Sequence, residues 1–124
     1  MKKIPWLFLS IVITAFIAGG CTYSQSAKKQ SEGIDALVQG DVEKFKAEVR
    51  SAYQMDPDDP YAMNNMGVVY ELEGNREKAI EMYKKAAQNA GDLSVKKSSR
   101  EGDKDRLLRD VADENRKRVE GAKF

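Results

Sequence analysis

The sequence predicts an all-α protein: a short array of helical hairpins with a C-terminal capping helix, preceded by an export signal. Three observations predict it. Apolar residues between Val42 and Ala87 recur at three- and four-residue spacing, the period of a helix with one buried face. Gly33, Gly40 and Ala52 return as Gly67, Gly74 and Ala86, each 34 residues on. Nearly all of the contiguous apolar sequence lies in residues 1–20, beside only two charges, Lys2 and Lys3.

The first twenty residues have the order of a secretory signal. Met1-Lys2-Lys3 is basic, Trp6 to Ile17 is apolar apart from Ser10 and Thr14, and Ala18-Gly19-Gly20 is small. The segment Ile17-Ala18-Gly19-Gly20-Cys21 resembles a bacterial lipobox. That resemblance implies diacylglycerol on Cys21, removal of residues 1–20 and acylation of the new amine. Ala18 stands where the lipobox usually has Leu, and the same bond also suits an ordinary secretory cut. An unlipidated Cys21 would be one unpaired thiol in an oxidising compartment, whereas lipidation consumes it. A third reading is an uncleaved helical anchor over Ile4–Cys21, at the lower edge of spanning length and weakened by Pro5 and two glycines. Thr22 follows the Cys instead of Asp. By resemblance to lipoprotein sorting, this implies an outer-membrane location facing the periplasm where the organism has two membranes.

Residues 21–27 follow as lipidated N-terminus and tether. Residues 60–93 then carry the clearer unit. Asp59 is placed to cap a helix, and Pro60 sits in its first turn, where a missing N–H costs nothing. Met63, Met66, Val69 and Tyr70 make one face of that helix. Gly74 supplies the left-handed geometry that ends it, and Asn75 caps the next, whose facing stripe is Ala79, Ile80, Tyr83 and Ala86-Ala87. The positions and types of Met63, Met66-Gly67, Tyr70, Ala79, Tyr83 and Ala86 resemble the tetratricopeptide repeat, a two-helix unit of 34 residues. Met63 stands for the family's Trp, and Gly91 for its closing Pro. Residues 26–59 resemble a degenerate copy. Its second helix, 41–55, has Val42, Phe45, Val49 and Ala52-Tyr53 on one face and is stopped by Asp56-Pro57. Its first helix, 28–39, has Lys29 and Glu32 at apolar positions and only Ile34, Leu37 and Val38 for packing. Phe45 replaces a small residue, which predicts a wider helix spacing in this unit. Residues 94–124 read as a charged loop, Asp92–Asp103, and a capping helix over Lys104–Val119 with Leu107, Leu108, Val111, Ala112 and Val119 on its apolar side. Two units fall short of the usual three or more, so the cap, or a second copy of the chain, is expected to matter for stability.

Composition narrows the function. The 124 residues include no His and one Cys, which excludes His-based acid–base chemistry, Cys/His zinc sites and an intrachain disulfide. The formal charge is +1, or −1 without Lys2 and Lys3, which argues against a nucleic-acid footprint. Asp56, Asp58 and Asp59 have the wrong spacing for a calcium loop, with Pro60 and Gly67 where ligands are needed. No nucleophile stands beside a base, and no spacing sets two carboxylates in an apolar cleft. No catalytic residue, metal or cofactor is therefore predicted. The basic residues from Lys96 to Arg118 alternate with acids, as on a solvated face laced with ion pairs. By resemblance, the first helices of successive repeats line a groove for a partner's peptide. In the better unit those positions are Tyr61, Asn64, Asn65, Val68, Glu71 and Leu72. The implied function is a membrane-anchored adaptor that binds an envelope protein or peptide. The alternative is an accessory lipoprotein that self-associates, as a homo-oligomer, without a groove.

Overall fold

The computed structural model describes residues 24–122, and within them the chain is an all-α array of five helices. The helices are α1 (24–38), α2 (Val42–Met55), α3 (Pro60–Leu72), α4 (Arg76–Asn89) and α5 (Leu108–Gly121). Residues 1–20, read as a signal segment, and Cys21 lie outside the described residues. α1, α3 and α5 make the layer that faces a groove, and α2 and α4 back them.

Local chemistry sets each hairpin. Asp41 Oδ1 accepts from Lys44 N at 3.1 Å, Asp59 from Tyr61 N at 3.0 Å, and Asn75 from Lys78 N at 3.2 Å. Each bond satisfies an N–H that the first helical turn leaves unpaired. The α1–α2 and α3–α4 turns are copies of one another. Gly40 N reaches Leu37 O at 3.0 Å and Asp41 N reaches Ala36 O at 2.8 Å; Gly74 N reaches Glu71 O at 3.0 Å and Asn75 N reaches Tyr70 O at 2.8 Å. Both glycines take positive φ, 83° and 74°, in the turn that closes helices on a left-handed residue.

Phe45, Val49, Met63, Met66, Val69, Met82, Ala86 and Ala112 form one buried cluster through α2, α3, α4 and α5. The three methionines act here as flexible filler of the cluster. Ala79, Tyr83 and Val119 form a second cluster, in which α5 covers α4. α5 packs chiefly on α4, as a capping helix should, and touches α3 more lightly.

Two boundaries and one packing position differ from the sequence reading. Residues 24–27, assigned to a tether, are already helical, because Ser26 is buried and its Oγ donates to Ala52 O at 3.1 Å. Val38, assigned to packing, is exposed, and buried Ala36 takes its place. The capping helix begins at Leu108 instead of Lys104. Residues 104–107 are held outside it by an antiparallel bridge between Ser94 and Leu107 and by Val95 N to Arg106 O at 2.8 Å. The loop before α5 is thus a folded strap, with Val95 buried against Ala90, Leu108 and Val111. Among the described residues no helix is long and apolar enough to cross a membrane.

Candidate functional site

The described residues enclose a groove of about 650 Å³ between α1, α3, α5 and the strap. Tyr61, Asn64, Asn65, Val68, Glu71 and Leu72 all line it, because they share the face of α3 turned away from α4. Their roles within it differ. Tyr61 donates its hydroxyl to Ser94 O and so anchors the strap. Asn65 Nδ2 donates to Gln30 Oε1 at 3.0 Å, and Gln30 Nε2 donates to Asp59 Oδ2 at 2.7 Å, joining α1 to the start of α3. Asn64 Oδ1 accepts from Asn115 Nδ2 of α5 at 3.3 Å. Val68 and Leu72 continue the face as apolar contacts, with Leu72 at 44% exposure.

Glu71 is held by its neighbours. Tyr83 donates its hydroxyl to Glu71, and Arg118 grips the same carboxylate with two bonds of 2.6 and 2.8 Å. Burial first, then the bond to Glu71, pushes the Tyr83 phenol well above its usual range. The same carboxylate raises Arg118 above the ordinary arginine value. This three-helix knot fixes one wall of the groove and leaves Glu71 little capacity for a ligand.

The opposite wall comes from residues that sequence reasoning did not assign to the site. α1 contributes Gln30, Ser31, Ile34 and Leu37, and the strap contributes Leu93 and Val95 to Arg100, while Asn115 and Arg118 reach the groove from α5. Lys97 Nζ of the strap reaches Asp35 Oδ1 of α1 at 2.6 Å and Ser31 Oγ at 2.9 Å. Two signals for these residues are present in the sequence. The stretch between Asn89 and Leu108 is longer than the roughly 12–15 residues beyond which structureless loops become uncommon. Asn115 also interrupts the apolar stripe Leu108, Val111, Ala112, Val119.

Charges around the groove are mostly neutralised within the protein. Arg100 pairs with Asp103 at 2.9 Å, Arg106 with Glu114 at 2.6 Å, and Arg116 with both Asp113 and Glu120. Asp56, Asp58 and Asp59 form the α2–α3 turn and the α3 cap, and among the described residues no acidic cluster is arranged to hold a metal. Compared with known proteins, the chain matches no family model, no curated protein and no solved structure.

Proposed function

We propose that this chain is an envelope lipoprotein, anchored through lipid on Cys21, whose small domain of tetratricopeptide type is a binding adaptor without catalysis of its own. Its partner is an envelope protein that presents a peptide segment to the groove between α1, α3 and α5. The observation that carries the reading is the convergence of Tyr61, Asn64, Asn65, Val68 and Leu72 on one groove of about 650 Å³ with a polar floor and an apolar end. Pockets that bind peptides combine these two parts, polar groups for the backbone and apolar contacts for side chains. The 34-residue recurrence of Gly40-Asp41 as Gly74-Asn75, with the same turn bonds, supports the repeat assignment.

The two halves have separate tests. Labelled palmitate is expected to enter the wild-type protein and not Cys21→Ala, which should also leave the membrane fraction. A photo-crosslinking residue at Leu72, in intact cells, is expected to trap one discrete partner, and one on the outer face at Lys84 is not. Equal trapping at both positions removes the groove reading and leaves anchoring untouched.

A further inference from the structure

Two side chains on the groove floor are hidden from solvent except toward the groove. Asn64 on α3 retains 9% of its exposure and Asn115 on α5 retains 6%. Their mutual bond, Asn115 Nδ2 to Asn64 Oδ1, uses one end of each carboxamide. Asn64 Nδ2 and Asn115 Oδ1 have no partner among the described residues, and neither is sealed in the core. Buried carboxamides are usually satisfied at both ends, so a half-used pair facing a groove is a feature to be explained. Together the free ends offer one donor and one acceptor. That is the complement of a secondary amide, whose C=O accepts from Asn64 and whose N–H donates to Asn115. A carboxylate would meet the lone acceptor, and an ammonium the lone donor.

The rest of the lining argues for the same chemistry. Glu71 is spent on Arg118 and Tyr83, Asp103 on Arg100, and Lys97 on Asp35. Asp59 is occupied by Gln30 and the Tyr61 amide. Among the described lining residues only Lys96 is left as an exposed cation on the rim, and the other charges are paired within the protein. Along α3, Asn64, Val68 and Leu72 stand one turn apart, about 6 Å per step. An extended chain covers that distance in about two residues.

We propose that Asn64 and Asn115 together bind one peptide group of an extended, uncharged segment, whose alternate apolar side chains enter the end of the groove formed by Ile34, Leu37, Val68 and Leu72. This rests on the peptide-binding reading above and adds the class of peptide and a recognition role for α5.

The test is panning of a random peptide display library on the purified mature lipoprotein in detergent, followed by calorimetry with a synthetic selected peptide. The expected peptides lack charged residues in their common core and carry apolar residues at every second position. Binding should fall about tenfold in Asn115→Leu, which has nearly the same shape and removes the acceptor of the peptide N–H. N-methylation of the peptide at one backbone position should cost about the same, a measurement that leaves the protein's folding untouched. Raising the salt from low to physiological strength should change affinity by less than about threefold, since no ion pair is made. A charged consensus, or selected peptides with no sensitive backbone position and full affinity for Asn115→Leu, overturns the inference while peptide binding stands. A library that yields no enrichment removes the peptide-binding reading itself, and this inference with it.

Discussion

The ring of Tyr83 occupies the space that any side chain at position 67 would need: a Cβ built on Gly67 falls 2.5 to 2.8 Å from three ring carbons. Tyr83 is fully buried and tied through its hydroxyl to Glu71, so the ring has nowhere to retreat. The equivalent Gly33 in the first hairpin is looser, with its nearest neighbours, Glu48 Cβ and Val49 Cγ2, at 3.4 Å. Two opposing effects then decide the outcome of Gly→Ala. Helix propensity favours Ala by about 1 kcal/mol, and overpacking costs about 1–3 kcal/mol. Gly67→Ala is expected to destabilise by up to about 2 kcal/mol, whereas Gly33→Ala should be neutral or slightly stabilising. Urea unfolding of the two variants checks the difference in sign.

That contrast also marks what was legible in the sequence. Gly67 with Tyr83, Asp59-Pro60, and Gly74-Asn75 act through local or one-repeat chemistry, and such signals survive in a linear pattern. The start of α1 does not, because it is fixed by Ser26 to Ala52 O and Gln30 to Asp59, bonds between segments 26 and 29 residues apart. The strap was hidden for the same reason. Its charged composition suits a loop, but Val95 N to Arg106 O and the bonds of Asp103 to Arg100 and Arg106 fold it. The face of α3 that lines the groove was readable, and its opposite wall, built by these non-local contacts, was not.

The buried phenol of Tyr83 predicts a weakness at high pH. Its folded pKa is raised, by burial first and then by the bond to Glu71. Above about pH 10 the unfolded chain releases this proton while the folded chain keeps it, so stability falls as pH rises. The expected slope from this group is about 1.4 kcal/mol per pH unit. Below that range its contribution is fully present. Tyr83→Phe should cost about 1 kcal/mol at neutral pH, from the lost bond to Glu71, and should remove this part of the alkaline slope. Thermal melts of both proteins from pH 8 to pH 11 decide it. Parallel curves would show that Tyr83 carries none of the alkaline loss.

Lys97 links the strap to α1 through Asp35 and Ser31, and the ion pair is open to solvent, at 40% and 55% side-chain exposure. Such pairs contribute about 0–1 kcal/mol and are screened by salt. The base of the strap is firmer, with Val95 buried and Leu108 N bonded to Leu93 O at 2.7 Å. Lys97→Ala should therefore leave global stability within about 0.5 kcal/mol while loosening the strap from α1. Spin labels at Lys28 and Ser99 provide the measurement. A single narrow distance is expected in the wild type, with a broader distribution in Lys97→Ala and in wild type at molar salt. An unchanged distribution would assign the closure to apolar packing alone.

α5 has two tasks, and its loss should reveal both. Val119 is fully buried with Ala79 and Tyr83, while Ala112 joins the cluster of Met66, Met82 and Ala86. Two hairpins alone would expose that surface, since a stacked array needs a terminal element with a polar outer side. Lys117, 67% exposed and paired with Asp113, lies on that outer side. Val119→Ala removes two methyl groups from a filled site and should cost about 1–3 kcal/mol with the protein still folded. A chain ending at Leu107 should lose its cooperative urea transition and sediment as larger species, because an uncovered apolar face of this kind drives association. Sedimentation and urea titration of the two variants separate a graded packing loss from loss of the cap. A truncated chain that stays monomeric and unfolds cooperatively would show that α1 to α4 form a complete core, with α5 serving only as a wall of the groove.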